Sequence, residues 1–366
     1  KVPFFEYPRL WLDDRENYIK IIDNVASSGG FILQKELSNF ELELAKFSGS
    51  NYSVGVGNAT DGMEIFLHAI DIKPGDEIII SSHTMLATAS AIKFAGGTPI
   101  PVDIGDDNLI CVKQIEQAIS KNTVGIMPTQ LNGRVCEMDT ILSIAKKNKL
   151  FVVEDAAQAL GARYNGRHSG TFGLAGSISF YPAKVMGCFG DAGGILVNDN
   201  KLHQKIYEIH DHGRNLDGEV IRWGRNSRLD NIHAALLSFK LKSYNEVINR
   251  RREIAQMYQK RLGLLEQLKL PPPPEKNSKN FDVYQNYEIE AQDRDNLQKY
   301  LRQNNIGTLI QWGGKGIHHF KQLGFNQVLP KTDKFFQKCL MIPINMFITN
   351  SDIDYVCEKI EDFYKK

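Results

Sequence analysis

Apolar positions along this chain fall into two rhythms that take turns. Short, nearly unbroken runs, such as Ile78-Ile79-Ile80 and Phe151-Val152-Val153, read as strands buried on both faces. Between them, apolar residues three and four apart mark helices with one buried stripe. The N-terminal part holds two such helices. One carries Tyr18, Ile21, Ile22 and Val25 and ends at Ser27-Ser28-Gly29-Gly30; the other spans 35–47 and stops at Gly49. The spacing then predicts a strand at 52–56, a small-residue turn at 57–62 and a helix over 63–70. Further along it predicts strands at 77–81, 99–103, 124–128 and 150–154, alternating with helices over 84–95, 112–120 and 139–147.

Regular strand–helix alternation implies a mostly parallel sheet covered on both faces. In such sheets ligands lie beyond the C-terminal ends of the strands, so residues that directly follow strands carry the most weight. Past residue 210 the rhythm changes. A polar loop over 210–230 precedes a helix at 231–241, and a long helix over 245–268 leads to Pro271-Pro272-Pro273-Pro274. Four prolines stop a helix and form a stiff connector, so a junction is expected near them. The remainder reads as a compact α/β piece, with strands at 283–290, 308–312 and 341–343 and helices over 294–304, 331–339 and 352–364. The expected division is a large α/β domain over 1–245 and a linking helix with a smaller α/β domain over 246–366.

Composition acts mainly by exclusion. The 366 residues are 42% hydrophobic and 24% charged, as in an ordinary globular protein, and a net charge of +1 offers no electrostatic handle for nucleic acid or an anionic membrane. No apolar run approaches the roughly 20 residues of a membrane span, and Lys1-Val2-Pro3-Phe4-Phe5-Glu6 lacks the apolar core of a secretory signal. Five scattered cysteines without a CxxC pair argue against a disulfide framework and a structural zinc site, and point to the cytoplasm. A cytoplasmic enzyme with neither nucleic acid nor membrane as partner is expected.

Candidate chemistry gathers at strand ends. Gly176-Ser177-Ile178-Ser179 is a short β-prone run, followed by Phe180-Tyr181-Pro182-Ala183-Lys184 and a glycine-studded segment up to Gly194. A lysine at the mouth of a buried site suits Schiff-base chemistry with carbonyl compounds, because burial lowers its pKa. A surface lysine on a turn is the ordinary alternative. Asp155 follows an apolar strand, in Glu154-Asp155-Ala156-Ala157-Gln158. A buried carboxylate there needs a partner such as a cationic ring nitrogen; capping a helix is the other use. The turn at 57–62 opens a helix, where free backbone N–H groups suit a phosphate. Trp223-Gly224-Arg225-Asn226-Ser227-Arg228 sets two arginines on one loop, an arrangement suited to an anion. His318 and His319 are adjacent rather than one helical turn apart, and no nearby carboxylate completes a triad, so no metal site is expected.

In chain order these features are a small-residue turn after a strand, an Asp-x-x-Gln, a Ser-x-Tyr-Pro-x-Lys and an Asn-Ser-Arg loop. That is a part list for pyridoxal 5′-phosphate: a lysine to bind it, an aspartate to keep its ring nitrogen protonated, and turns for its phosphate. Through "SGGFILQKELSNFE", "VGVGNATDGM", "VVEDAAQALGARYNGRHSGTFG", "SISFYPAKVMGCFGDAGGILVND" and "NSRLDNIHAALLSFKL", the chain resembles the DegT/DnrJ/EryC1/StrS family of sugar aminotransferases over essentially its whole length.

The resemblance implies a fold type I pyridoxal-phosphate transferase, α/β in class, with a central, mostly parallel sheet of the seven-stranded type and a smaller C-terminal domain. It also implies roles. Lys184 would carry the cofactor and, once released, shuttle a proton. Asp155 would pair with the ring nitrogen, and Gln158 would contact the ring's 3′ oxygen. Ser179, Ala59 and Thr60 would bind the phosphate. Met85 would stand where the family usually stacks an aromatic residue on the ring. Asn226 would reach the phosphate of the neighbouring subunit, which implies a homodimer with shared active sites. L-glutamate would be the donor. Related dehydratases carry histidine in place of the lysine, so Lys184 points away from them.

Within the family, "HTMLATASAIKFAGGTPIPVDI", "MPTQLNGR", "HDHGRN" and "LIQWGGK" look most like the aminotransferases that make 8-amino-3,8-dideoxy-D-manno-octulosonate (8-amino-Kdo) for lipopolysaccharide. The implied acceptor is the C8 aldehyde of an oxidised 3-deoxy-D-manno-octulosonate, a free sugar acid. Arg134, Arg222, Arg225 and Arg228 would then be available to a carboxylate, with Trp312 on the substrate loop. The alternatives are a dTDP- or UDP-linked keto-sugar as acceptor and, from another class, a PLP-binding regulatory module.

Overall fold

The computed structural model describes residues 1–275 and 278–365. Its centre is a seven-stranded sheet in the order Thr98–Val102, Glu77–Ser81, Thr123–Met127, an interrupted strand at 151–155, Ala175–Ser179, Gly193–Val197 and Tyr52–Val56. All neighbours are parallel except at Gly193–Val197, which runs antiparallel to both of its partners. The interruption falls at Val153: Phe151–Val152 pairs with one half of the sheet and Glu154–Asp155 with the other. Gly125 is what allows the first pairing so close, since a Cβ there would come within 2.2 Å of the Phe151 ring.

The period of two along each strand sorts the side chains to opposite faces. Ile79, Ile126, Ile178 and Leu196 join Phe40 and Leu44 in one core cluster. Ile78, Ile80, Ile195 and Val197 join Val54, Met63 and Phe66 in the other. A third cluster, around Tyr258, Ile289, Leu301, Leu340 and Val356, fills the C-terminal part. It lies against a small antiparallel sheet of Leu268–Lys269, Tyr287–Ala291 and Cys339–Ile342. Val2 joins this cluster and bridges Ile306, so the N-terminal segment is bound to the C-terminal part.

Several expectations shift. The helix expected over 63–70 runs Ala59–Ala69, because the Asn58 side chain caps it by accepting from Asp61 N at 2.8 Å. The turn is thus the helix's own first turn. The strand expected over 308–312 does not form. Leu309 alone bridges Met341, and Gln311–Gly314 is a tight turn with Trp312 at φ 48° and Gly313 at φ 65°. The long helix, Tyr244–Leu262, stops at Gly263. Tyr284 Oη donates to Pro272 O at 2.8 Å, which ties the tetraproline segment to the chain beside it. No helix among the described residues is long and apolar enough to cross a membrane.

Candidate active site

The C-terminal ends of the parallel strands open into a cavity of about 560 Å³. Thr84 and Met85 follow one strand, Thr129 the next, Asp155 ends the interrupted strand, Ser179 ends Ala175–Ser179 and Lys184 follows it. Ala59 and Thr60, at the N-terminus of their helix, close one end. Asn286, Gln311 and Trp312 form the opposite wall, and Phe5 of the N-terminal segment reaches the rim.

Lys184 is half-buried in a turn closed by its own N–H donating to Tyr181 O at 2.8 Å. Gln285 clamps the main chain on both sides of it: Gln285 Nε2 donates to Ala183 O at 2.9 Å, and Val185 N donates to Gln285 Oε1 at 2.8 Å. Burial pushes the lysine pKa down to about 8, while the Asp155 charge works the other way. A substantial fraction of the amine is therefore neutral near physiological pH, as a nucleophile requires.

Asp155 is 4% exposed, and no helix begins after it, so the helix-cap reading falls. Burial raises its pKa; the Thr88 hydroxyl, the Ala157 N–H and the Lys184 charge oppose that rise. Thr88 Oγ1 donates to Oδ2 at 2.6 Å and Ala157 N donates to Oδ1 at 3.1 Å. Thr84 Oγ1 lies 2.7 Å from Thr88 Oγ1 and 2.8 Å from Thr129 Oγ1. Thr88 escaped the sequence reading, although its place one helical turn after Thr84 was available as a signal.

At the other end, small residues bring the helix N-terminus against the sheet. A Cβ on Gly193 would lie 2.5 Å from Asn58 C and 2.7 Å from Ala59 N. Ser177 Oγ donates to Ala59 O at 2.9 Å. Ala59 and Thr60, whose N–H groups come before the first intrahelical bonds, line the cavity, which suits them to a phosphate. Gln158 Oε1 accepts from Asn132 N at 2.9 Å, which leaves the Gln158 NH2 as a donor at the cavity. Met85 is half exposed along the cavity wall. A carboxylate for the ring nitrogen, a lysine with a lowered pKa, a donor amide and a free helix N-terminus line one space. These residues fit pyridoxal 5′-phosphate.

The expected arginines lie elsewhere. Arg134 pairs with Asp282 at 2.7 Å in a separate cleft behind the cavity wall. Arg225 pairs with Glu64 at 2.6 Å and Asp61 at 3.3 Å, Arg228 with Asp211 at 2.9 Å, and Arg222 with Glu208 at 2.5 Å. Each already meets a carboxylate of its own chain, and none lines the cavity. Asn226 is exposed and bridges Asp211, away from the residues that line the cavity.

The expectation that no carboxylate completes a set with His318 and His319 is corrected. Helix Pro330–Lys338 brings Asp333 Oδ1 within 2.8 Å of Nε2 of both rings. Among the described residues these three are the group close enough to share an ion. Gly316 N donates to His319 Nδ1 at 3.0 Å, so the ring proton sits on Nε2 and points at Asp333. Ser82 Oγ lies 2.6 Å from His318 Nδ1. At His319 the hydrogen bonds put a proton where an ion would need a lone pair. The trio is a clasp that holds the turn after Trp312 to the strand end before Thr84.

The model of the DegT/DnrJ/EryC1/StrS aminotransferase family matches residues 12–361. The chain is 34% identical over 371 residues to a "pleiotropic regulatory protein" of Geobacillus stearothermophilus, covering all of this chain and 99% of that one. It is also 34% identical over 370 residues to a dTDP-3-amino-3,6-dideoxy-α-D-galactopyranose transaminase of Aneurinibacillus thermoaerophilus, covering 99% of both. The crystal structure of NtdA from Bacillus subtilis with bound cofactor PMP superposes with a TM-score of 0.93 at 28% identity, over all of this chain and 86% of that one. With the fold, the strand-end cavity and these matches in agreement, the chain belongs to the DegT/DnrJ/EryC1/StrS aminotransferase family and is a pyridoxal-phosphate-dependent aminotransferase.

Proposed function

We propose that this enzyme moves the amino group of L-glutamate onto the carbonyl carbon of a nucleotide-linked keto-sugar, releasing 2-oxoglutarate. The observation that carries the reading is the convergence of Lys184, Asp155 and the Ala59–Thr60 helix start on one cavity. Bound there, the cofactor supplies an electron sink for the pair left when the amino-bearing carbon loses its proton. The chain supplies the rest. Asp155, whose oxygens accept from Thr88 and Ala157, would be the counter-charge for a protonated ring nitrogen. Lys184 Nζ takes the proton from the donor carbon and later returns one to the acceptor carbon. Ser179, Ala59 and Thr60 would hold the phosphate, Gln158 would donate to the ring's 3′ oxygen, and Met85 would pack on the ring; all five line the cavity.

The acceptor class rests on the transaminase relative, which acts on a dTDP-linked amino sugar by its name. The second reading, amination of an oxidised 3-deoxy-D-manno-octulosonate to give 8-amino-Kdo for lipopolysaccharide, rests on "HTMLATASAIKFAGGTPIPVDI" and "LIQWGGK". The arginines invoked for its carboxylate are engaged within the chain.

Our reading includes a homodimer with shared sites. Its support is an exposed hairpin beside Asn226 that carries Leu216, Val220, Ile221 and Trp223, the last 98% exposed. Apolar groups left in water so close to Asn226 suit burial against a second copy.

The test is to offer L-glutamate with each acceptor and follow 2-oxoglutarate and the aminated sugar by mass spectrometry. Amination of the nucleotide-linked sugar is expected. Turnover of the octulosonate alone would replace the acceptor. No amination of any sugar would leave a regulatory role, as in the name of the Geobacillus relative.

A further inference from the structure

The cavity wall opposite the phosphate end is built on a buried carboxylate that no lysine or arginine pairs with among the described residues. Glu288 is 6% exposed, and its nearest ionisable partner is His83, with Nε2 at 3.5 Å from Oε2. A carboxylate accepts hydrogen bonds and gives none, so it dictates which way its amide neighbours turn. Asn132 Nδ2 donates to Glu288 Oε2 at 2.7 Å. Asn132 Oδ1 then accepts from Asn286 Nδ2 at 2.8 Å. The Gln311 amide meets three acceptors at one end, Glu288 Oε1 at 3.2 Å, Glu288 Oε2 at 3.3 Å and Asn132 Oδ1 at 3.2 Å, so that end is its nitrogen.

Two side chains that line the cavity, Asn286 and Gln311, are thereby oriented from behind. Both spend their NH2 groups on the buried cluster, and Asn286 Oδ1 is left without a hydrogen-bond partner among the described residues. The wall therefore offers hydrogen-bond acceptors held in place by a buried carboxyl group beside His83. Such a surface takes O–H donors and has no N–H to offer a carboxylate or phosphate. Asn132 also ties the cluster to the cofactor side, because its N–H donates to Gln158 Oε1 at 2.9 Å.

We propose that Asn286 and Gln311 form a subsite that reads hydroxyl groups of the acceptor sugar, with Glu288 as the positioning residue that fixes their orientation through direct contact and through Asn132. The inference deepens the proposed function and rests on it. L-glutamate, which carries two carboxylates and no hydroxyl, gains nothing from this wall. The two half-reactions must then respond differently when the wall is altered.

Glu288→Gln keeps the shape but can donate as well as accept, so the amides lose their fixed direction. The probes are dTDP-3-amino-3,6-dideoxy-α-D-galactopyranose and 8-amino-3,8-dideoxy-D-manno-octulosonate, each run in reverse with 2-oxoglutarate, beside L-glutamate alone in a stopped-flow half-reaction. For whichever amino sugar the parent uses, Glu288→Gln and Asn286→Ala are expected to raise KM about tenfold, the scale of one lost hydrogen bond. The glutamate half-reaction should fall far less, and Glu288→Asp, which restores an obligate acceptor, should recover part of the KM. Equal losses in both half-reactions, or a loss in neither, overturn the subsite and leave the proposed function standing. A parent that uses neither amino sugar removes both of the acceptors named above and this subsite with them.

Discussion

Thr88 Oγ1 donates to Asp155 Oδ2 across 2.6 Å, and this bond sets the direction of a chain of three hydroxyls behind the cofactor site. Having given its proton to the carboxylate, Thr88 accepts from Thr84 at 2.7 Å, and Thr84 in turn accepts from Thr129 at 2.8 Å. Burial raises the Asp155 pKa, and the Thr88 hydroxyl opposes that rise. Thr88→Val keeps the volume and removes the donor. Turnover is expected to fall about tenfold, matching the loss of one charge-assisted hydrogen bond. Steady-state kinetics would show it, and a parent-like rate in this variant would contradict the role.

Lys184 titrates near pH 8 in the protein without cofactor because burial disfavours its charged form. The rate of cofactor capture should therefore rise with pH and reach half its maximum near that value. The stability sign follows from the same shift. The unfolded chain holds this proton up to its ordinary pKa of 10.5, so between about 8 and 10.5 the unfolded state binds more protons. The lysine's unfavourable contribution to stability is relieved as pH rises through that window. Chemical denaturation of parent and Lys184→Met at pH 7 and pH 10 should show the gap between them changing in the parent's favour. Lys184→Ala should lose turnover by at least about a thousandfold.

Gly193→Ala places a Cβ against Asn58 and Ala59 main-chain atoms, which cannot swing aside as a side chain would. The helix N-terminus must shift, at a cost of about 1–3 kcal/mol. Cofactor affinity, measured by fluorescence titration, is expected to drop together with thermal stability. A variant that binds the cofactor as the parent does would argue against a phosphate at this helix start.

Arg134→Met separates a structural arginine from a substrate-binding one. Asp282 is buried, which pushes its pKa up to about 6, and Arg134 is the main opposing influence. Removing the arginine strands that carboxylate, so stability should fall by about 3 kcal/mol in a denaturant titration. The acceptor KM should stay near the parent value. A KM rise without loss of stability would return Arg134 to the substrate.

Mixed dimers test the sharing of sites. If Asn226 serves the neighbouring subunit, Lys184→Ala and Asn226→Ala chains are each impaired alone. Co-refolding them gives hybrids in which one site has both residues intact. Activity of the mixture should exceed that of either variant. An inactive mixture would place Asn226 outside the partner's site.

The sequence by itself determined the strand–helix order, the sheet class and the placing of Asp155 at a strand end and Lys184 beyond another. Those features depend on local periodicity and chain order, which a linear reading preserves. It placed strand 77–81 and helix 231–241 with the bounds the structure has. Only the tertiary structure decided the partners. Gln285 clamps Lys184 from a hundred residues away, Glu64 takes Arg225, and Asp333 arrives beneath His318 and His319. The strand expected over 308–312 became a turn that puts Gln311 and Trp312 on the cavity wall. Hydrogen-bond direction and charge pairing depend on which groups the fold brings within about 3 Å, and separation along the chain carries no trace of that.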